Sequence, residues 1–264
     1  MNWHYRIEAA SGSPVASGTR LAGGDLGGAL LVTLEDGRRF VAKDGPLVER
    51  EGEMLRAIGK TGAPAPAVHY CDDGLLLMDH IEADGAKGWA SLAEALGHLH
   101  AAQDVPYGWD ADYAFGAVTV CNTPADDWPA FWGENRIACH GRSIDSSIAR
   151  RLDTLASRLG DILPRHPTHS LLHGDLWGGN VLFHQGALAA LIDPAAYIGH
   201  REVDIAMLTL FDHPPDAFFD VMQLDAGWRE RLPAYRLWPL LVHLRLFGDS
   251  YRASVESALR ALGF

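Results

Sequence analysis

Cysteine is scarce in this chain and is never clustered. Only three of its 264 residues are cysteine, and Cys71, Cys121 and Cys139 are far apart, without a CxxC pair. A zinc site built on thiolates and a disulfide framework both need closely spaced cysteines, so neither is indicated. His98 and His100 are two residues apart on a predicted helix and cannot share a face of it. We therefore expect free thiols and no structural zinc.

Positive charge and long apolar runs are scarce as well. The chain has 22 Lys and Arg against 34 Asp and Glu, a formal net charge of -12. Nucleic acids and anionic membranes attract clustered Lys and Arg, so neither is an expected partner, whereas an amine-bearing substrate fits the charge. No apolar run is long enough for a membrane helix, and the first residues lack the apolar core of a signal peptide. We expect a cytoplasmic monomer.

The residue patterns predict an α+β fold with two lobes. Residues 29–34 and 40–43 flank a turn at 35–37, and residues 68–71 and 75–78 flank another at 72–74, which predicts two hairpins. Apolar spacing over 47–58 predicts one helix among the strands, which are expected from about residue 19, and the pattern is mostly helical after residue 79. We expect an antiparallel nucleotide-binding lobe at 1–80 and a larger, mainly helical catalytic and substrate-binding lobe at 81–264, with a ligand cleft between them.

The most informative segment is residues 173–180, HGDLWGGN, followed by Ile192-Asp193-Pro194. Phosphoryl transfer requires mainly positioning and charge neutralisation. A carboxylate must accept the hydrogen bond of the substrate hydroxyl, and this spacing assigns that role to Asp175. Magnesium prefers hard oxygen ligands, which Asn180 and Asp193 supply. The segment predicts a kinase catalytic loop.

Lys43 ends the apolar strand Phe40-Val41-Ala42-Lys43, a position suited to contacting nucleotide phosphates. Of the acidic residues on the next helix, Glu51 shares the inward side with Leu55 and is the predicted partner of Lys43; Glu53 is the alternative. The glycine-rich residues 23–28, with Gly24 and Gly27, lie where a loop over the phosphates would be expected.

A hinge between the two lobes is expected at residues 78–81, where backbone N–H and C=O groups could form hydrogen bonds with adenine. The four residues are Met78, Asp79, His80 and Ile81. This prediction depends on the order of the lobes and not on the identity of these side chains.

With these residues placed, the chain resembles the fructosamine kinase family, also called ketosamine-3-kinases, within the protein-kinase-like superfamily that includes aminoglycoside and choline phosphotransferases. The resemblance runs from about residue 21 to 211 and is most specific at 173–180 and at 193–207, which contains Gly199-His200-Arg201-Glu202. Two departures are visible: the phosphate loop has Gly24-Asp25-Leu26 where some relatives carry a redox-active cysteine, and Ile198 stands where a second aromatic residue is common.

The resemblance implies ATP- and Mg²⁺-dependent phosphorylation of the sugar C3 hydroxyl of ketosamines, leading to deglycation of small-molecule or protein-bound amines. It implies that Trp177, Tyr197, His200 and Arg201 line the sugar pocket, although packing roles are equally open for these four. His173 and Asp204 are expected to be scaffold, with Asp204 accepting hydrogen bonds from the loop backbone. Two alternatives stay open, a small-molecule kinase for an aminoglycoside, choline or another amino alcohol, and an inactive kinase-like binding module.

Overall fold

The computed structural model describes residues 3–21, 28–72 and 74–264, and their elements follow in chain order. The strands are β1 Val15–Arg20, β2 Ala29–Leu34, β3 Arg39–Asp44, β4 Val68–Asp72, β5 Leu75–Asp79, β6 Tyr113–Phe115, β7 Val118–Val120, β8 Ser170–Leu172, β9 Val181–His184, β10 Ala187–Leu191 and β11 Tyr197–Gly199. The helices are α1 Trp3–Ser11, α2 Val48–Lys60, α3 Trp89–Leu99, α4 Trp128–Trp132, α5 Ser146–Arg158, α6 Glu202–Phe211, α7 Asp216–Met222, α8 Trp228–Phe247 and α9 Arg252–Ala261. Short 3-10 and π turns connect several of them. None of the helices in these described ranges is long and apolar enough to cross a membrane.

The chain forms two compact units. The first comprises residues 1–98 and 179–194, and the second comprises residues 99–178 and 195–264. The first unit therefore contains Lys43, Glu51, Asn180 and Asp193, and the second contains Asp175. The assignment of nucleotide binding to residues 1–80 stays a prediction, since compactness does not show which residues bind a nucleotide.

The first unit is built on an antiparallel sheet with the strand order β1-β2-β3-β5-β4. Its two predicted hairpins are confirmed, and Gly37 closes the β2–β3 turn with a φ of +85°, where its N–H donates to the carbonyl of Leu34 at 3.0 Å. Side chains alternate along β3, so Phe40 and Ala42 pack with Ile7 of α1 on one face. Val41 packs on the opposite face with α2. Lys43 follows Val41 by two positions and therefore belongs to the α2 face.

Helix α2 combines an apolar stripe with favourable terminal charges. Its buried residues are Val48, Glu51, Gly52, Met54, Leu55 and Ile58. Glu49 and Glu51 lie in the first turn and Lys60 in the last, where each complements the helix dipole. The helix thus buries one carboxylate among aliphatic side chains on the face that packs against the sheet.

Helix α1 was not predicted from the sequence, and the first strand was expected only from about residue 19, whereas β1 begins at Val15. All but the first residue of β1 is exposed, so the segment has no alternation of apolar and polar residues to detect. Its pairing with β2, from Val15 opposite Leu34 to Arg20 opposite Leu30, defines it as a strand.

The second unit has an aromatic core between short strands and helices. Trp128, Trp132 and Tyr235 are buried and pack together, and the indole Nε1 of Trp128 donates to the Tyr235 hydroxyl at 3.0 Å. Strands β8 and β11 pair antiparallel, with Leu172 opposite Tyr197. The catalytic-loop segment leaves the end of β8 directly from this buried ladder.

Candidate active site

Residues 173–178 form a loop whose beginning is anchored by a buried carboxylate. The N–H groups of His173 and Gly174 donate to the Asp204 carboxylate at 2.8 and 2.9 Å. Asp204 lies in the first turn of α6 and is fully buried. A carboxylate that accepts backbone N–H groups in a dry interior forms strong, directional bonds. The expected contact between Asp204 and the loop backbone is present.

His100 is a third donor to this carboxylate and was missed by the sequence analysis. Its Nε2 lies 2.9 Å from Asp204 Oδ2, and both side chains are buried. Because an ionised carboxylate only accepts, Nε2 carries the hydrogen. The two residues are 104 positions apart, so no local pattern could have paired them.

The end of the same loop is held by a second carboxylate. The N–H of Gly178 donates to Asp212 Oδ2 at 2.6 Å. Between the two anchors, Asp175 is half-buried, its N–H donates to His173 Nδ1 at 3.3 Å, and the following Leu176 is fully buried. Asp175 therefore lies on a short segment whose backbone is fixed at both ends.

In the first unit, Lys43 bridges two carboxylates. Its Nζ lies 2.6 Å from Glu51 Oε1 and 2.6 Å from Asp193 Oδ1. The alternative partner Glu53 is exposed and pairs instead with Arg50 at 3.0 Å. The structure thus brings together Lys43, Glu51 and Asp193.

The electrostatics of this group keep Lys43 charged. Burial by itself would lower the pKa of Lys43, but the Glu51 and Asp193 carboxylates outweigh burial and raise that pKa. Burial raises the pKa of Glu51, and the nearby Asp193 acts in the same direction, while Lys43 opposes both. A buried ammonium held between carboxylates is a fixed positive charge that can meet an anionic group.

Asn180 and Asp193 lie at the open end of the hairpin formed by β9 and β10. Leu191 pairs with Val181, and the Ile192 N–H donates to the Asn180 carbonyl at 3.0 Å. Asp193 has a φ of +54°, a left-handed conformation that is uncommon outside glycine and is often found at functional sites. The hairpin therefore brings an amide side chain and a carboxylate to adjacent chain segments, and their oxygens are of the type that Mg²⁺ prefers.

The expected hinge residues lie at the end of β5. Met78 is buried in the core on the α2 face, and the Asp79 carboxylate accepts from the Ala67 N–H at 3.3 Å and lies 2.6 Å from His69 Nε2. His80 and Ile81 follow the strand and are half-buried. Their backbone role toward adenine stays a prediction. The predicted phosphate-loop residues Gly24 and Gly27 lie outside the described residues.

Three of the four predicted sugar-pocket residues make scaffold contacts. Tyr197 is fully buried beneath the Arg136 guanidinium, whose carbon lies 4.3 Å from the ring centroid. His200 is buried with Nδ1 2.7 Å from the Tyr235 hydroxyl, and Arg201 donates to the carbonyls of residues 222 and 223. These contacts support packing roles, and any contact with substrate stays a prediction. Trp177, by contrast, is 41% exposed.

Ligand atoms of His200, Glu202 and Asp225 lie within 4.8 Å of one another. Arg231 already holds both Glu202 oxygens, at 2.5 and 2.8 Å, and the pKa of His200 is lowered to about 3 by burial and by Arg231 and Arg201. The arrangement is accounted for by ion pairing, and the absence of a structural zinc stays a prediction.

Comparison with known proteins places the chain among sugar-amine kinases. Residues 4–262 match the family model described as fructosamine kinase. A probable ketoamine kinase from Enterococcus faecium is 36% identical over 195 residues, 70% of each chain. A crystal structure assigned as a fructosamine-3-kinase from Thermobifida fusca superposes with a TM-score of 0.89 at 30% identity over 98% of each chain.

The fold class is confirmed by a more distant structure. An aminoglycoside phosphotransferase in complex with AMP-PNP and hygromycin B matches 99% of each chain with a TM-score of 0.66 at 19% identity, which shows the shared protein-kinase-like fold. Together with the family model that spans nearly all residues, these findings confirm the resemblance seen in the motifs: the chain belongs to the fructosamine kinase family.

Proposed function

We propose that this protein is an ATP-dependent ketosamine kinase, which transfers the γ-phosphoryl group of ATP to the C3 hydroxyl of a ketose attached to an amine. The observation that carries the proposal is that a chain of this family holds both candidate groups in ordered form: the Lys43–Glu51–Asp193 group in one unit and the doubly anchored Asp175 loop in the other. A catalytically inactive relative would have no need to keep both.

Each group has a role that follows from its surroundings. Lys43 is a fixed cation held by Glu51 and Asp193, and it attracts nucleotide phosphates. Asp175 accepts the hydrogen bond of the sugar hydroxyl and orients its oxygen toward the phosphorus. The loop anchors at Asp204 and Asp212 keep the Asp175 backbone from shifting, and such positioning is a large part of catalysis.

Asn180 and Asp193 fit a Mg²⁺ ion, since both present oxygen donors and lie on adjacent segments at the base of one hairpin. When bound, Mg²⁺ would neutralise charge on the nucleotide phosphates. The Asp193 carboxylate, which pairs with Lys43, would then also be a ligand of the ion.

The chemistry of the phosphorylated product explains how the reaction leads to deglycation. A phosphate on C3 is next to the ketose carbonyl carbon C2, so enolisation toward C1 can expel it from C3 as inorganic phosphate. This elimination leaves an imine between C1 and the amine nitrogen. Water hydrolyses the imine, which releases the free amine and a dicarbonyl sugar, so the phosphorylation leads to deglycation.

The proposal is tested by nucleotide consumption with Mg²⁺ against ribulose-lysine, fructose-lysine, an aminoglycoside and choline, with the phosphorylated position determined by ³¹P NMR. We expect turnover on the ketosamines, its loss in Asp175→Asn, and no change in Asp220→Asn, which alters an exposed carboxylate on α7. Turnover only on the aminoglycoside or choline would identify the alternative substrate class. Nucleotide binding without turnover of any acceptor would identify a binding module.

The metal assignment has its own test in Asp193→Asn. We expect turnover to fall by orders of magnitude. Circular dichroism and thermal unfolding should stay close to wild type, because asparagine readily adopts the left-handed φ of +54° and Lys43 keeps its pair with Glu51. Wild-type rates in this variant would rule out the role.

A further inference from the structure

A row of aromatic rings extends from the catalytic loop across the second unit. Trp177 of the loop contacts Phe211 at the end of α6, with centroids 6.4 Å apart, and Phe211 contacts His243 of α8 at 5.5 Å. His243 in turn contacts Phe247 at 5.4 Å and Tyr251 at 4.8 Å. We call these five residues the aromatic strip.

The strip is unusual because much of it faces solvent. Trp177 is 41% exposed, Phe211 39% and Phe247 44%, while His243 and Tyr251 are half-buried. Isolated exposed apolar residues are ordinary, but a contiguous exposed patch marks an interaction surface. His243 and Phe247 are four positions apart on one helix, so the helix presents both rings on the same face.

The size of the strip indicates what it binds. A hexose or pentose covers roughly one aromatic ring, which Trp177 alone could provide beside Asp175. Four further rings, contributed by α6, α8 and the 3-10 turn that follows α8, lead beyond the loop. The strip is therefore larger than the sugar requires and is continuous with the loop at which the sugar reacts.

The charge of the surroundings favours a cationic partner. Asp212 follows Phe211 directly, and Asp249 is exposed between Phe247 and Tyr251 in the sequence. Carboxylates beside aromatic faces attract ammonium and guanidinium groups, both by charge and by cation–π contact. A glycated amine is such a group, and lysine-rich polypeptide around it supplies more.

We propose that the aromatic strip binds the polypeptide that carries a glycated lysine, while the sugar lies at the catalytic loop. The inference rests on the proposed ketosamine kinase function and adds a carrier-binding surface to it. The strip distinguishes protein-bound adducts from free ones, because only a polypeptide reaches from the loop to Phe247 and Tyr251.

The test compares two substrates, a peptide of about ten residues with one ribulosyl-lysine and the free ribulosyl-lysine amino acid. The variants are Phe247→Ser and Tyr251→Ser, with Val221→Ser as the control, an apolar residue on α7 that is 48% exposed and outside the strip. For the peptide we expect kcat/KM to fall about 3- to 10-fold in each strip variant through a higher KM, as one lost aromatic contact implies. For the free adduct, and for the control with both substrates, we expect rates within about twofold of wild type.

The outcomes separate the two proposals. Equal peptide kinetics in wild type and strip variants would overturn the carrier surface while leaving the kinase assignment intact. An equal loss on both substrates would also overturn it, since the rings would then support the loop and not the carrier. A wild-type protein that turns over neither substrate would refute the kinase function itself.

Discussion

Replacing Asp204 by asparagine is expected to loosen the catalytic loop without touching the nucleotide side. The carboxylate accepts hydrogen bonds from the His173 and Gly174 N–H groups and from His100 Nε2, at 2.8, 2.9 and 2.9 Å. An asparagine side chain has one accepting oxygen, and its NH₂ group must face at least one of these donors. One buried donor then loses its partner, and the remaining bonds lose their charge assistance.

The magnitude follows from the number of bonds affected. A hydrogen bond to a charged group stabilises by about 1.5–3 kcal/mol, a neutral one by about 1 kcal/mol, and an unsatisfied buried donor costs about 1–3 kcal/mol. We expect Asp204→Asn to lower the free energy of unfolding by about 3–5 kcal/mol. Native proteins are stable by about 5–15 kcal/mol, so the variant should fold in most of that range.

Three measurements check this reasoning. Urea unfolding gives the loss of stability, and hydrogen exchange of the peptide covering residues 170–178 should show faster exchange at His173 and Gly174. A displaced loop should lower kcat by about 100-fold. The KM for ATP should stay unchanged, because Asp204 bonds to the loop backbone and to His100, all in the second unit, whereas the Lys43–Glu51 pair belongs to the first unit.

His100→Leu is the matched variant, since it removes one donor and leaves both backbone bonds to Asp204 intact. We expect it to cost about 1.5–3 kcal/mol, the contribution of one hydrogen bond to a charged group, and to lower kcat far less than Asp204→Asn does. The anchoring role of Asp204 is refuted if Asp204→Asn is destabilised by less than about 1 kcal/mol and leaves exchange at residues 173 and 174 unchanged.

Three further predictions concern the second unit and its loop, with Gly186→Ala of the first unit as a control for one of them. Gly174→Ala should abolish activity and lower the free energy of unfolding by more than about 3 kcal/mol in a thermal unfolding assay. The reason is that a Cβ at this position would lie 2.1 Å from the Ala195 carbonyl oxygen, in a residue with a φ of +80°. The control Gly186→Ala, with a φ of +74° and open space around the added Cβ, should lose only about 1 kcal/mol in the same assay. Arg136→Met should lower the free energy of unfolding by about 3 kcal/mol. Its guanidinium is fully buried, donates to a side-chain oxygen at 2.7 Å and packs on three aromatic rings. A loss below about 1 kcal/mol in urea unfolding would contradict this prediction. Burial, with nearby arginines, lowers the pKa of His140 to about 3, so the folded state binds fewer protons than the unfolded state and stability falls as pH drops below 6.5. Between pH 7 and pH 5 this histidine should contribute a loss of about 2 kcal/mol, which His140→Leu should remove; equal pH dependence in wild type and variant would show that the group is not held neutral.

Local sequence patterns predicted much of the first unit. The β2–β3 hairpin is predicted by two apolar segments of β-strand type with a glycine at the turn between them. Helix α2 is predicted by an apolar stripe with acidic residues at its start. Both patterns lie within short stretches of sequence, so they can be recognised without the fold. Glu51 was predicted as the partner of Lys43 because it lies on the inward side of α2. In the structure, Lys43 Nζ and Glu51 Oε1 are 2.6 Å apart. The start of strand β1 was placed at about residue 19 and not at Val15, because its exposed residues show no pattern without their partner strand.

The supports of the catalytic loop could not be predicted in the same way. Asp204 was expected to contact the loop because the family motif continues through it, but His100 and Asp212 belong to no motif near the loop. Arg136 likewise gave no sign of a buried role, since its partners are aromatic rings and carbonyls brought together by packing. An aspartate or an arginine in isolation is most often a surface residue, and a histidine is found both inside and at the surface.

The sequence by itself determined which chemical groups HGDLWGGN and the following Asp193 offer, and it predicted their roles, because residue type and spacing along a short stretch of chain are visible without the fold. It also determined the hairpins and helices that local hydrogen bonds define. Only the tertiary structure decided which distant carboxylates hold the loop and which aromatic rings stay exposed beside it. Burial and donor geometry depend on segments as far as 150 residues apart, and no local pattern records them.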